Sequence, residues 1–256
     1  MPKFDLASKS YDGQHVLTFN RKKHVYHLDN ELVPGVTSIN KLGGPTDPKL
    51  LAWYMATGRK SKKKSLEAAS IGKLVHSYAE ERSLGKQPDM GRIEEHPDVA
   101  KIKCCIEHYE EWYKTNEDKV LGTEMLVGSA MYRYGGTIDR LVESKTWGLV
   151  LDDYKTSKGF YIDQFLQLAA YREAAAEWFD KRVDALRILL FPKSGGTFHS
   201  LLLTGRGWFF DNVPLANVSI TFNDLWEQFK RNRLSMDFYR LGSQVCADIN
   251  TGLSND

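Results

Sequence analysis

From Lys119 onward the sequence is built of short apolar runs cut by tight turns. VLGTEMLVG, MYRYGGTIDRLVES and WGLVLDDYKT are three β-rich segments with almost nothing between them. They are followed by IDQFLQLAAYREAAAEWF at 162–179, rich in alanine and leucine and periodic as an amphipathic helix. Two more strands are predicted over 184–192 and 197–204, around the turn KSGG, and a helix over 222–242. Three strands, a helix and two strands in succession, with helices before and after, confine the chain to an α/β (α+β mixed) class in which helices flank a sheet.

The front half is more helical. HVLTFN at 14–19 and HVYHL at 24–28 read as a hairpin closed by the polar stretch RKK. VPGVTSINKLGGPTDP is punctuated by glycine and proline, which predicts a loop with a single helical turn. Helices are predicted over 48–58, 65–84 and 97–117, and the tail GLSND is expected to fray.

Charge is unevenly placed. Residues 1–75 carry 13 Lys/Arg against 6 Asp/Glu, whereas residues 76–256 carry 22 against 27. A basic front on an acidic body suits a polyanion guided towards a carboxylate-rich place. The densest run, RKSKKK, holds Arg59, Lys60, Lys62, Lys63 and Lys64; it is either a phosphate guide or a solvated loop. No stretch approaches the ~18–20 apolar residues of a membrane helix, and the start, MPKFDLASKSYDG, shows no signal or transit peptide. The sequence therefore predicts a soluble cytoplasmic protein without a membrane partner. Cys104, Cys105 and Cys246 are too few for a disulfide framework or a four-thiolate cluster, so no iron–sulfur cluster is expected.

The residues that point to chemistry lie on the strands. Asp139 ends YGGTID, and Asp153 and Lys155 sit two apart in LVLDDYK, so they share a face while Tyr154 points away. A turn at 144–147 can set the two strands antiparallel, bringing two carboxylates and an ammonium to one patch. Paired carboxylates repel unless a cation lies between them, and oxygen ligands suit Mg²⁺ or Mn²⁺. A surface ion-pair cluster is the plain alternative. His76, with Gly72 four residues before and Glu80 four after, stands on the 65–84 helix, and Gln164, Gln167 and Tyr171 form a polar line on the 162–179 helix. Glu124, on the first strand of the group, has three readings: a supplementary acid, a support for the site, or a structural residue.

The ordered strings GKLVH, YGGTID, LVLDDYKTSK and FLQLAAY resemble the RecB-like exonuclease branch of the PD-(D/E)XK nuclease superfamily, over residues 70–175. VPGVTSINKLGG followed by LLAWYMATG is similar to the front of the mitochondrial genome maintenance exonuclease and related phage nucleases, with Gly35 where serine usually stands. The resemblance implies a restriction-endonuclease-like core, a central mixed β-sheet flanked by helices, with a helical N-terminal part. It implies one nuclease domain over 1–256, with a hairpin and basic segment at 1–64, the core at 65–205 and a helical segment at 206–256. It also implies a Mg²⁺- or Mn²⁺-dependent deoxyribonuclease: an exonuclease on single-stranded DNA or DNA ends, in replication, recombination or repair, with proteins of those processes as possible partners. Under it His76, Asp139 and Asp153, with the backbone carbonyl of Tyr154, are metal ligands; Asp139, Asp153 and Lys155 are catalytic; Gln167 and Tyr171 support the site or touch DNA. Asp152 rivals Asp153, and the D-x-K spacing favours Asp153.

With that site in place, Lys62, Lys63 and Lys64, together with Trp53 and Tyr54, become the expected path of a strand, cations on phosphates and aromatics on bases. An endonuclease of the same fold, a non-catalytic DNA-binding recombination partner and an unrelated helix-rich adaptor are the competing readings.

Overall fold

The computed structural model describes residues 6–44, 48–216 and 218–253. The described residues form two sheets and seven α-helices, a mixed α+β architecture. The first sheet is an antiparallel meander of β1 (Leu6–Lys9), β2 (Val16–Asn20), β3 (Val25–Leu28) and β4 (Glu31–Val33). The expected hairpin is its centre. The two outer strands escape sequence pattern because each is only three or four residues long.

The segment expected as a loop with one helical turn contains an eight-residue helix, α1 (Val36–Gly43), which buries Val36 and Ile39. Tertiary contact overrides local punctuation there: a Cβ on Gly43 would lie 1.8 Å from the Asn232 carbonyl oxygen, so only glycine lets the helix end meet that backbone. Next come α2 (Pro48–Thr57), one 3₁₀ turn (Gly58–Lys60) and α3 (Ser61–Ser83). The basic run is thus helical rather than loop. Gly58, at φ +55°, breaks α2, after which lysine and arginine, good helix formers, start α3 four residues before the expected Ser65.

A short α4 (Gly91–Glu94) and α5 (Val99–Thr115) lead into the second sheet. Its strands are β5 (Lys119–Ser129), β6 (Tyr134–Ser144), β7 (Gly148–Lys155), β8 (Ala185–Leu190), β9 (His199–Thr204), β10 (Gly207–Phe210) and β11 (Val213–Pro214), with α6 (Ile162–Phe179) between β7 and β8. The order across the sheet is β11-β10-β9-β8-β7-β6-β5. Only β7 and β8 run parallel, as the α6 crossover requires. The segment after 205, expected to be helical, begins with β10 and β11 before α7 (Phe222–Leu253). α7 continues well past 242, through Gly252 and Leu253 of the expected tail; residues 254–256 lie outside the described residues.

α6 covers one face of the sheet. Phe165, Leu168, Ala169, Ala174 and Ala175 pack on Ile138, Leu151, Leu186 and Ile188, in the same core as Leu17, Phe19 and Tyr26 of the first sheet. The alanines let α6 lie close to the strands, and each fully buried large side chain contributes about 1.5–3 kcal/mol. α3 and α5 cover the other face with Ile71, Val75, Ala79, Ile102, Cys105 and Tyr109 against Tyr154, Leu189 and Phe191. Cys105 is used as a small apolar residue, its thiol pushed up to about 12 by burial. Among the described residues no helix is long and apolar enough to cross a membrane.

Candidate active site

Strand register builds the site. β6 and β7 are antiparallel across a tight turn, as the spacing predicts. Thr123 faces Arg140 and Met125 faces Ile138, which sets Glu124 opposite Asp139. Arg140 faces Asp152, and one position further along sets Asp139 beside Asp153. Three carboxylates therefore stand in a row across β5, β6 and β7. Like charges facing each other across a sheet are destabilising, so such a row calls for compensating cations.

Two cationic side chains belonging to the chain meet it. His76 comes from α3, its Nδ1 3.4 Å from Asp139 Oδ2, and the same oxygen accepts the Tyr154 backbone N–H at 2.8 Å. Lys155 Nζ lies 2.5 Å from Asp153 Oδ2. That contact is an ion pair rather than a well-directed hydrogen bond, because Asp153 Oδ2 is buried with no hydrogen-bond partner. α6 supplies the third side: Gln167 Nε2 donates to Asp153 Oδ1 at 3.3 Å and to the Tyr171 hydroxyl at 3.0 Å, while its Oε1 accepts from Lys155 Nζ at 3.4 Å. Gln164, on the same line in sequence, does different work. Its amide accepts from the Tyr161 N–H and donates to Ser157, tying down the start of α6.

The adjacent glycines of YGGTID explain how these parts approach. A Cβ on Gly136 would sit 2.3 Å from Tyr171 Cε1, and one on Gly135 would sit 2.8 Å from Tyr26 Cδ1. Each glycine admits one aromatic ring against β6, and Gly136 is what lets Tyr171 reach the row.

Electrostatics follow from burial and pairing. Burial pushes the Glu124 carboxyl up to about 7, and the charges of Asp139 and Glu80 add to it. Asp153 is pushed up to about 6 by burial and by Asp139, against the pull of Lys155. Burial also acts to raise Asp139, but His76, Lys155 and the Tyr154 N–H together hold it below the ordinary carboxylate value. Burial would lower His76, yet Asp139 holds its imidazole above the ordinary value. Lys155 is likewise kept protonated by Asp153 and Asp139 despite burial.

Carboxyls displaced in opposite directions on adjacent strands are a feature that functional sites share with structural ion-pair networks. Glu124 also carries left-handed backbone, at φ +48°, a strained conformation for a residue with a side chain. His76, Glu124 and Asp139 each offer a ligand atom within 4.8 Å of the others. This set, with the Lys155-paired Asp153 carboxylate beside it, could hold a Mg²⁺ or Mn²⁺ ion.

His76, Asp139, Asp153, Lys155, Gln167 and Tyr171 are thus gathered in one place. Two details of the geometry add to the sequence reading. The compact ligand group contains Glu124, which sequence left open among three uses, whereas Asp153 is engaged by Lys155 and Gln167. Tyr154 contributes its N–H to Asp139, and its ring turns to the opposite face, edge-on to His76 at 5.7 Å. Asp152 is removed as a rival: fully buried on that opposite face, it pairs with Arg140 Nη1 at 2.9 Å and Arg187 Nε at 2.7 Å. Lys62, Lys63 and Lys64 are exposed in the first turns of α3 and stand apart from the row. They precede His76 by at least 12 residues, about 18 Å along a helix axis.

No family model matches the sequence, and no curated protein matches it. Among solved structures, the chain described as "Crystal structure of SSO0001" is similar at 15% identity and a TM-score of 0.25, over 62% of this chain and 74% of that one. A likeness that loose carries no argument about fold or function.

Proposed function

We propose that the chain is a Mg²⁺- or Mn²⁺-dependent deoxyribonuclease of the RecB-like PD-(D/E)XK type, acting as an exonuclease on single-stranded DNA or DNA ends. The observation that carries the reading is the row Glu124–Asp139–Asp153 across three adjacent strands, met by His76 and Lys155. In this reading β5 to β8, with α3 and α6, form the nuclease core.

Phosphodiester hydrolysis needs a water deprotonated near neutral pH and a counter-charge on the phosphoryl oxygens. His76, Glu124 and Asp139 would hold the cation, with Asp153 beside them, and the bound ion supplies Lewis acidity at the scissile phosphate. Lys155 supplies a fixed positive charge for the developing oxyanion; Asp153 and Gln167 set its direction. Tyr171 orients Gln167 through its hydroxyl. Without the ion, burial lifts the Glu124 carboxyl to about 7, so binding a cation there would displace its proton. Lys62, Lys63 and Lys64 fan around the exposed first turns of α3. Lys73 follows Lys62 three turns on along the same side, a pair of cations that suits a phosphate backbone tracking towards His76. Tyr54, exposed on α2 beside Trp53, offers a ring for base stacking.

The test is incubation of single-stranded and duplex oligonucleotides, labelled at either end, with Mg²⁺, Mn²⁺ or EDTA. The reading expects stepwise shortening from one end in either metal and none in EDTA. Internal products from a circular single strand would replace the exonuclease with an endonuclease. Binding without cleavage by the wild-type protein would replace it with a non-catalytic DNA partner.

A further inference from the structure

We propose a second ligand site at the opposite end of β7, which binds a phosphate group carried on a planar apolar body, the chemistry of a nucleoside phosphate. Asp153 and Lys155 end β7, whereas the hollow opens beside Gly148 at its start, about 20 Å away along the strand. Its volume is about 480 Å³, within the range of small-molecule sites.

Three guanidinium groups line it, from three parts of the chain: Arg172 on α6, Arg182 in the loop before β8, and Arg206 in the β9–β10 turn. Cations gathered in one hollow repel, and an anion relieves that repulsion. Glu173, paired with Arg172 at 2.7 Å, and Asp184 in the lining offset part of that charge, which leaves Arg182 and Arg206 without a carboxylate partner of their own among the described residues.

Two of the three arginines are preset. Arg172 donates to the Val183 carbonyl at 3.1 Å and to Glu173 Oε1 at 2.7 Å, and lies over the Phe222 ring at 4.5 Å. Arg206 lies over Trp147 at 5.1 Å and reaches the Thr146 carbonyl at 3.4 Å. Arg182 is exposed, with no hydrogen-bond or ion-pair partner among the described residues, and is free to close on a bound anion. Guanidinium forks match phosphate oxygens bidentately, and fixed forks lose little entropy on binding. Trp147 and Phe222 supply apolar walls, which inorganic phosphate alone would not use. A free mononucleotide and a nucleotide within a strand share this chemistry.

The test is equilibrium dialysis of dAMP, inorganic phosphate and a ten-residue oligothymidylate in EDTA, where no divalent cation draws ligand to Asp139. The wild type and the His76→Ala variant are expected to bind dAMP equally, one per chain, and more tightly than phosphate. The double variant Arg182→Ala/Arg206→Gln is expected to lose about tenfold or more, the size of a lost charge-assisted contact. In wild-type protein, dAMP should protect Arg182 from phenylglyoxal, read by mass spectrometry, which needs no variant to fold. Loss confined to the oligonucleotide assigns the site to a strand; loss for dAMP assigns it to a free nucleotide. Equal binding of every probe by wild type and double variant, with no protection of Arg182, overturns the site. So does failure of all three probes to bind at about 1 mM. Because no step uses the Asp139 row, these outcomes are independent of whether the chain cleaves DNA.

Discussion

Asp152 and Asp153 are adjacent in sequence and differ by one step of the strand alternation, so the same substitution at each should separate folding from activity. Asp152 is fully buried between Arg140 (Nη1 at 2.9 Å) and Arg187 (Nε at 2.7 Å, Nη2 at 3.0 Å). Asp152→Asn leaves two buried guanidiniums with reduced compensation. Arg187 keeps Asp118 at 2.6 Å, and Arg140 keeps only the Asn116 amide oxygen at 3.2 Å and the face of Trp112. Breaking a buried pair costs about 3–5 kcal/mol, and the surviving Asp118 contact favours the lower part, about 3–4 kcal/mol. For a chain of this size that is a fall in Tm of about 6–16 °C.

At Asp153 the balance is different. Burial and Asp139 lift its carboxyl to about 6 in spite of Lys155, so its ionised form is disfavoured by the fold. Replacing it with Asn removes that cost along with the Lys155 attraction. Lys155, partly exposed, keeps Asp139 and Gln167 beside it, so the loss should be smaller than at Asp152. Urea unfolding of both variants, paired with a cleavage assay on the folded protein, reads the difference. Asp152→Asn should be unstable yet active when folded, and Asp153→Asn stable yet inactive. Equal destabilisation, or cleavage by Asp153→Asn at the wild-type rate, would refute the face assignment.

Lys155→Ala should lower kcat by about two orders of magnitude or more while oligonucleotide affinity stays near wild type, because its charge acts on the transition state; single-turnover kinetics beside a binding isotherm measure both. Gly136→Ala should force Tyr171 away from Gln167, costing about 1–3 kcal/mol by overpacking and cutting turnover without touching a proposed ligand. In the metal-free protein Glu124 titrates near 7, and its proton competes with the cation. His76, held above its ordinary value, must also lose its proton to ligate. Mn²⁺ affinity should therefore rise with pH through 7 and level off only when both groups are deprotonated, with protons released on binding, checked by calorimetry in two buffers. Neutralising Lys62, Lys63 and Lys64 should weaken DNA binding alike across sequences and flatten its salt dependence, by about 0.7 log units per decade of salt for each lost phosphate contact on a single strand.

What sequence made legible was whatever period and motif carry. The β6–β7 pairing, the shared face of Asp153 and Lys155 and the α6 helix follow from alternation, turn length and helical period, whereas the meeting of His76 with Asp139 was expected only from the motif resemblance. Elements made by tertiary contact were not legible. α1 forms where Gly43 admits the α7 backbone, and β10 and β11 are short strands that extend an existing sheet edge. The first turns of α3 hid behind a charge run that reads equally as solvated loop.

Glu124 is the instructive case. Its strand was evident, but its place opposite Asp139 depends on a bulge between Val120 and Gly122, and a bulge leaves no period to read. The buried Arg140–Asp152–Arg187 group was equally hidden, because in sequence Asp152 is only the neighbour of a motif aspartate.

Crystals soaked in Mn²⁺ and measured at the manganese absorption edge test the site most directly. An anomalous peak bounded by His76, Glu124 and Asp139, and lost in Asp139→Asn, is the predicted result. A protein that takes up no Mn²⁺ among these residues, or holds it only elsewhere, would contradict the account.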